Sequence, residues 1–171
     1  MNNFVKNYAI EAFRFYASIG EPTREEYQKS VSDRLKRCRR IRKKGILSKT
    51  QLQELDRIEK QIQAEQKDIL AVISTFEILN KRDCERKGEC SKNISFVLRE
   101  TYMNPEFVLS QSKGIISRNV VRLSVKNGFG ERSIYRWLDT AINIFAEERG
   151  LRFFLKNKKS GSTNNLYSVI I

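Results

Sequence analysis

Apolar residues recur along this chain at spacings of three and four, which is the period of an amphipathic helix. Phe4, Val5, Tyr8, Ala9, Ala12, Phe13, Tyr16 and Ala17 predict a first helix over 4–19, stopped by Gly20 and Pro22. Thr23 with Glu26 three residues on forms a capping-box signature for a second helix. That helix carries Tyr27, Val31, Leu35, Cys38 and Ile41 on one face and ends near Gly45. A third helix starts at Ser48 or Thr50. Its Leu55, Ile58, Ile62, Ile69, Val72, Phe76 and Leu79 form a heptad-like seam, with Glu65 the one polar intruder. Such a seam predicts packing on the preceding helix as a hairpin, with a dimeric coiled coil as the other way to bury it.

The pattern lapses over 80–90, where polar residues and Gly88 predict a loop and a domain boundary. Ile94, Phe96, Val97, Leu98 and Tyr102 predict a further helix ending near Asn104-Pro105, followed by a loop around 110–114. Residues 116–151 then read as helix, short turn, helix. Val120, Val121 and Leu123 supply the apolar side of the first, and Asn127-Gly128-Phe129-Gly130 the turn, with Phe129 plugging the angle between the helices. Ile134, Trp137, Leu138, Ala141, Ile142, Phe145 and Ala146 form the buried stripe of the second, which Gly150 ends. The expected fold is all-α: an N-terminal helical hairpin or bundle over 1–80, a helix-turn-helix domain over 91–157 and a C-terminal tail over 158–171. A fragment 91–171 is expected to fold and bind by itself.

Charge sharpens this picture. The net charge is +13 over 171 residues. Residues 34–44 hold eight basic groups and no acidic one, and residues 91–171 hold 13 basic and six acidic groups; the rest is close to neutral. Clustering of this kind points to a polyanionic partner rather than to solubility. The chain has no histidine, which removes the commonest general base and metal ligand. Asp56, Glu59, Asp68 and Glu77 read as the solvated face of the third helix, so no enzymatic activity and no cofactor are expected. Cys38, Cys84 and Cys90 are too few and too oddly spaced for a disulfide framework or a zinc site, which fits a reducing cytoplasm. The N-terminus lacks the apolar core of a signal peptide, and no apolar run is long enough to span a membrane. The basic run has only Cys38 and Ile41 as an apolar face, too thin for interfacial membrane binding.

A recognition helix presents its first residues to base edges. Glu131, Arg132, Ser133, Tyr135 and Arg136 hold those positions here and are the candidate base contacts. Arginine can bond guanine bidentately, and a carboxylate can accept from cytosine. Arg118, Arg122 and Lys126 recur every four residues on the preceding helix and are the candidate phosphate contacts. Arg34, Lys36, Arg37, Arg39, Arg40, Arg42, Lys43 and Lys44 form a second basic patch, suited to phosphates or to an acidic protein surface.

At these residues a resemblance appears. Gly130-Glu131-Arg132-Ser133-Ile134-Tyr135-Arg136-Trp137-Leu138, with Ala141 and Phe145-Ala146-Glu147-Glu148-Arg149-Gly150-Leu151, resembles the helix-turn-helix of sigma-factor region four. It is similar to the small sigma-like late-gene regulators of Gram-positive phages and prophages, the ArpU/RinA type. Residues 8–16 also resemble the opening of clostridial prophage proteins of this kind. Where that family carries serine or threonine before the recognition helix, this chain has Gly130. The resemblance implies a DNA-binding transcription regulator in a bacterial host cell. Its partners would be double-stranded DNA and RNA polymerase, with a homo-oligomer open. The alternative is another DNA-binding phage module, such as a small terminase subunit or a recombination accessory factor.

Overall fold

The computed structural model describes residues 3–43, 45, 47–85, 90–108 and 114–151. Every element among them is helical. In chain order these are α1 (Asn3–Ser18), α2 (Arg24–Lys43), α3 (Lys49–Glu85), α4 (Cys90–Leu98), a π-helical stretch (Arg99–Met103), α5 (Pro105–Val108), α6 (Ile115–Asn127) and α7 (Glu131–Glu148). The all-α expectation holds. Lys44, the stretch 109–113 and the expected tail lie outside the described residues.

The helix starts follow from local chemistry. The Thr23 backbone N–H donates to Glu26 Oε2 at 2.8 Å, and the Glu26 N–H donates back to Thr23 Oγ1 at 3.3 Å, so the capping box forms as expected. The Thr23 hydroxyl also donates to Glu26 Oε2 at 2.9 Å, and the bonds from the Thr23 N–H, first, and its hydroxyl, second, hold the Glu26 carboxyl below its ordinary range. Ser48 and Gln51 make a second reciprocal box at 2.9 and 3.3 Å, which sets the start of α3 at Lys49. Gly45, at φ +81°, turns the chain between the two helices.

α2 and α3 pack as the expected hairpin. Leu55, Ile62, Ile69, Val72, Phe76 and Leu79 of the seam are buried, while Ile58 is exposed. Glu65 interrupts the seam because it accepts from Arg34 of α2 at 2.9 Å. α3 runs on to Glu85 through the polar residues that predicted a loop. A helix already anchored by its buried half extends into a polar sequence at the cost of propensity alone.

The core crosses the expected boundary at 80–90. Phe13 of α1 meets Phe145 of α7 at 5.5 Å, Tyr102 of the π stretch at 6.3 Å and Phe76 of α3 at 6.4 Å. α7 packs on α1, α3 and α4 as well as α6. The helices before and after the boundary therefore share one hydrophobic core.

The acidic residues of α3 expected to be solvated are all engaged. Asp56 and Glu59 hold Arg42, Glu77 holds Arg24 at 2.6 Å, and Asp68 pairs with Arg149 beyond α7. Tyr8 of α1 donates to the same Asp68 carboxylate at 2.6 Å. Burial, then the Asp68 carboxylate, pushes the Tyr8 phenol above its ordinary value. A polar knot thus ties α1, α3 and the end of α7. Among the described residues no helix is long and apolar enough to cross a membrane.

Candidate nucleic-acid interface

α6 and α7 are joined by Gly128, Phe129 and Gly130. Gly128 sits at φ +69°, a conformation that side chains with a Cβ rarely adopt. Its N–H donates to the Ser124 carbonyl at 3.0 Å and closes α6. Phe129 packs edge-on against Trp137, with ring centroids 5.1 Å apart, so it does fill the angle between the helices. Gly130 is extended and provides no side-chain cap; its carbonyl accepts from the N–H groups of Ser133 and Ile134 at 2.8 and 3.1 Å. α7 ends as expected at Gly150, where the Leu151 N–H reaches back to the Ala146 carbonyl at 2.7 Å.

The phase of α6 differs from the expected one. Val120 and Leu123 are buried, but Val121 faces outward, and Asn119 is buried instead. Buried positions on a helix recur every three or four residues, so 119, 120 and 123 share a side and 121 cannot join them.

α7 turns Ile134, Leu138, Ala141, Ile142, Phe145 and Ala146 into the core, with Trp137 half-buried. The opposite side carries the candidate base contacts. Glu131, Arg132, Tyr135 and Arg136 are exposed and Ser133 is half-buried. No ion pair engages Arg132 or Arg136 among the described residues. With Asp139, Thr140 and Asn143 they line one shallow concave strip along the helix. The sequence reading missed those last three, although the step of three and four from Arg132 and Arg136 leads to them. Asn143 is exposed at the far end of this strip.

The candidate phosphate contacts differ in burial. Arg118 and Lys126 are exposed. Arg122 is half-buried and donates to Glu100 Oε2 of the π stretch at 3.1 Å. The π stretch turns Thr101, Tyr102 and Met103 into the core and holds Glu100 beside α6. Arg122 thus has a protein partner that spacing along one helix could not show.

The second basic patch divides as well. Arg34 pairs with Glu65, Arg42 with Asp56 and Glu59 at 2.7 and 3.1 Å, and Lys36 with Asp33 at 3.3 Å. Arg37, Arg39, Arg40 and Lys43 are exposed, with no ion-pair partner among the described residues. The run has no anion of its own, but α3 supplies three. Arg132, Ser133, Tyr135 and Arg136 share this strip, Glu131 does not line it, and the second patch belongs to a different helix.

Set against known protein families, characterised proteins and solved structures, the chain gives no match.

Proposed function

We propose that this protein is a DNA-binding transcription regulator that reads duplex DNA with the outward strip of α7. The observation that carries the reading is the pairing of Arg132 and Arg136. Both guanidinium groups are exposed in the first two turns of a helix whose other side is buried, and among the described residues no carboxylate holds either. Guanidinium groups presented in this way can bond guanine edges in the major groove. Arg118 and Lys126 of α6 are exposed and would supply charge for the phosphate backbone. Sigma-like action through RNA polymerase is the finer form of the same proposal and rests on the resemblance of residues 130–151 alone.

Selection of bound fragments from a genomic DNA pool by the intact protein tests the reading. A recurring sequence motif is the expected result. Recovery of fragments with no shared motif would leave at most non-specific binding and would remove α7 as a base reader.

A further inference from the structure

The four cations of α2 that have no ion-pair partner among the described residues are arranged in a way that selects their partner. α2 packs on α3 along one side, and only Tyr27, Val31 and Cys38 of its residues are buried. Arg34 and Arg42 flank this seam, and their pairs with Glu65, Asp56 and Glu59 fix the rotation of the helix on α3. Successive residues turn by about 100° around a helix. With Cys38 pointing inward, Arg40 and Lys43 lie on the far side, and Lys36 joins them in a loose surface pair with Asp33. Arg37 and Arg39 then stand on the two flanks, about 160° apart across the outward face at that rotation. Lys29 lies on the same face toward the N-terminus, but Asp33 stands between it and Lys36, so the cationic stripe proper runs from Lys36 to Lys43, about 10 Å at 1.5 Å per residue.

A flat acidic surface touches one side of such a helix and leaves at least one flank in solvent. A groove with charged walls touches both. The major groove of B-form DNA is about 12 Å wide and admits a helix, with phosphates along both edges. The corresponding groove of an RNA duplex is too narrow to admit one. We propose that the outward face of α2 is a second DNA-binding surface, seated in the major groove with Arg37 and Arg39 on phosphates of opposite strands. The proposal rests on the DNA reading of α7 and extends it to another helix; its readout is the salt slope on random DNA, so it can stand or fall separately.

The test uses the full chain with a random-sequence DNA duplex, the matching RNA duplex and polyglutamate as probes. Binding is measured over a range of salt. The variant R37A/R39A/R40A/K43A should melt at an unchanged temperature, because these side chains make no ion pairs among the described residues. On the DNA duplex its log–log salt slope should be shallower by about two, at about 0.9 for each of the phosphates held by Arg37 and Arg39. The single reversals R37E and R39E should weaken DNA binding to a similar degree, and they serve alone if the quadruple variant does not fold. An unchanged slope, or one silent reversal, would overturn the groove placement. An equal loss toward polyglutamate, or equal binding of the RNA duplex, would overturn it in favour of a general polyanion surface. The variant R132A/R136A is compared on a selected and a random duplex, so that motif preference and salt slope are read separately. Preserved motif preference in R132A/R136A would overturn the α7 reading alone, and an unchanged slope in the α2 variant would overturn the α2 proposal alone.

Discussion

Arg122 and Lys126 are one helical turn apart on α6 but sit in different surroundings. Arg122 is bonded to Glu100, whereas Lys126 is exposed at the end of the helix. A cation already neutralised by a carboxylate has less to gain from a phosphate. Lys126→Ala should therefore flatten the salt dependence of DNA binding by about one unit of slope, and Arg122→Ala by clearly less. Equal slopes for the two variants would mean that DNA displaces Glu100. Asp68 ties together distant parts of the chain. It accepts from Tyr8 and pairs with Arg149, joining groups that are 60 and 81 residues away in sequence. Asp68→Asn leaves a half-buried guanidinium short of its counter-ion. It should cost about 1–3 kcal/mol in urea unfolding, a discounted share of what a fully buried pair would lose. No change in stability would show the knot to be incidental. Pairing of this kind was not legible in the sequence, where Asp68 is one more polar residue on the outside of a helical wheel.

At the scale of elements, the caps were readable and the interruptions were not. Thr23 with Glu26 names its helix start unambiguously, because both bonds of a capping box lie within four residues. The Ser48–Gln51 box does the same and decides between Ser48 and Thr50. By contrast, the polar end of α3, the π stretch and the rotation of α6 depend on what each helix packs against. Val121 and Asn119 exchange places for that reason. The turn before α7 was legible through its glycines, and they make different demands. Gly128 lies at φ +69°, so Gly128→Ala should destabilise the protein by about 1 kcal/mol. Gly130 is extended, and an added Cβ would meet nothing closer than Ser133 Oγ at 3.9 Å. Gly130→Ser should leave stability unchanged or raise it by a few tenths of a kcal/mol, since it adds the missing cap. Thermal melts of the two variants check both signs, and a stabilising Gly128→Ala would contradict the turn geometry.

At the scale of the molecule, the shared core changes what can be cut. A boundary at 80–90 was the natural reading of a polar stretch between two apolar patterns. Periodicity shows that a face is buried, not which face covers it. Phe145 of α7 is covered by Phe13 and Tyr8 of α1, and α7 also rests on α3. A fragment 91–171 would leave these faces in water, so it should show little cooperative unfolding by circular dichroism, against the expectation that it folds alone. A sharp melt for the fragment would restore the two-domain reading.

The central claim is that Arg132 and Arg136 on the outward side of α7 read DNA sequence. It is tested most directly by measuring the affinity of the intact protein and of R132A/R136A for a selected duplex and for a random duplex at one salt concentration. Each arginine should carry about 1–3 kcal/mol of discrimination. The double variant should bind the random duplex nearly as well as the parent and lose its preference for the selected one. An equal loss on both duplexes, or a preserved preference, would contradict it.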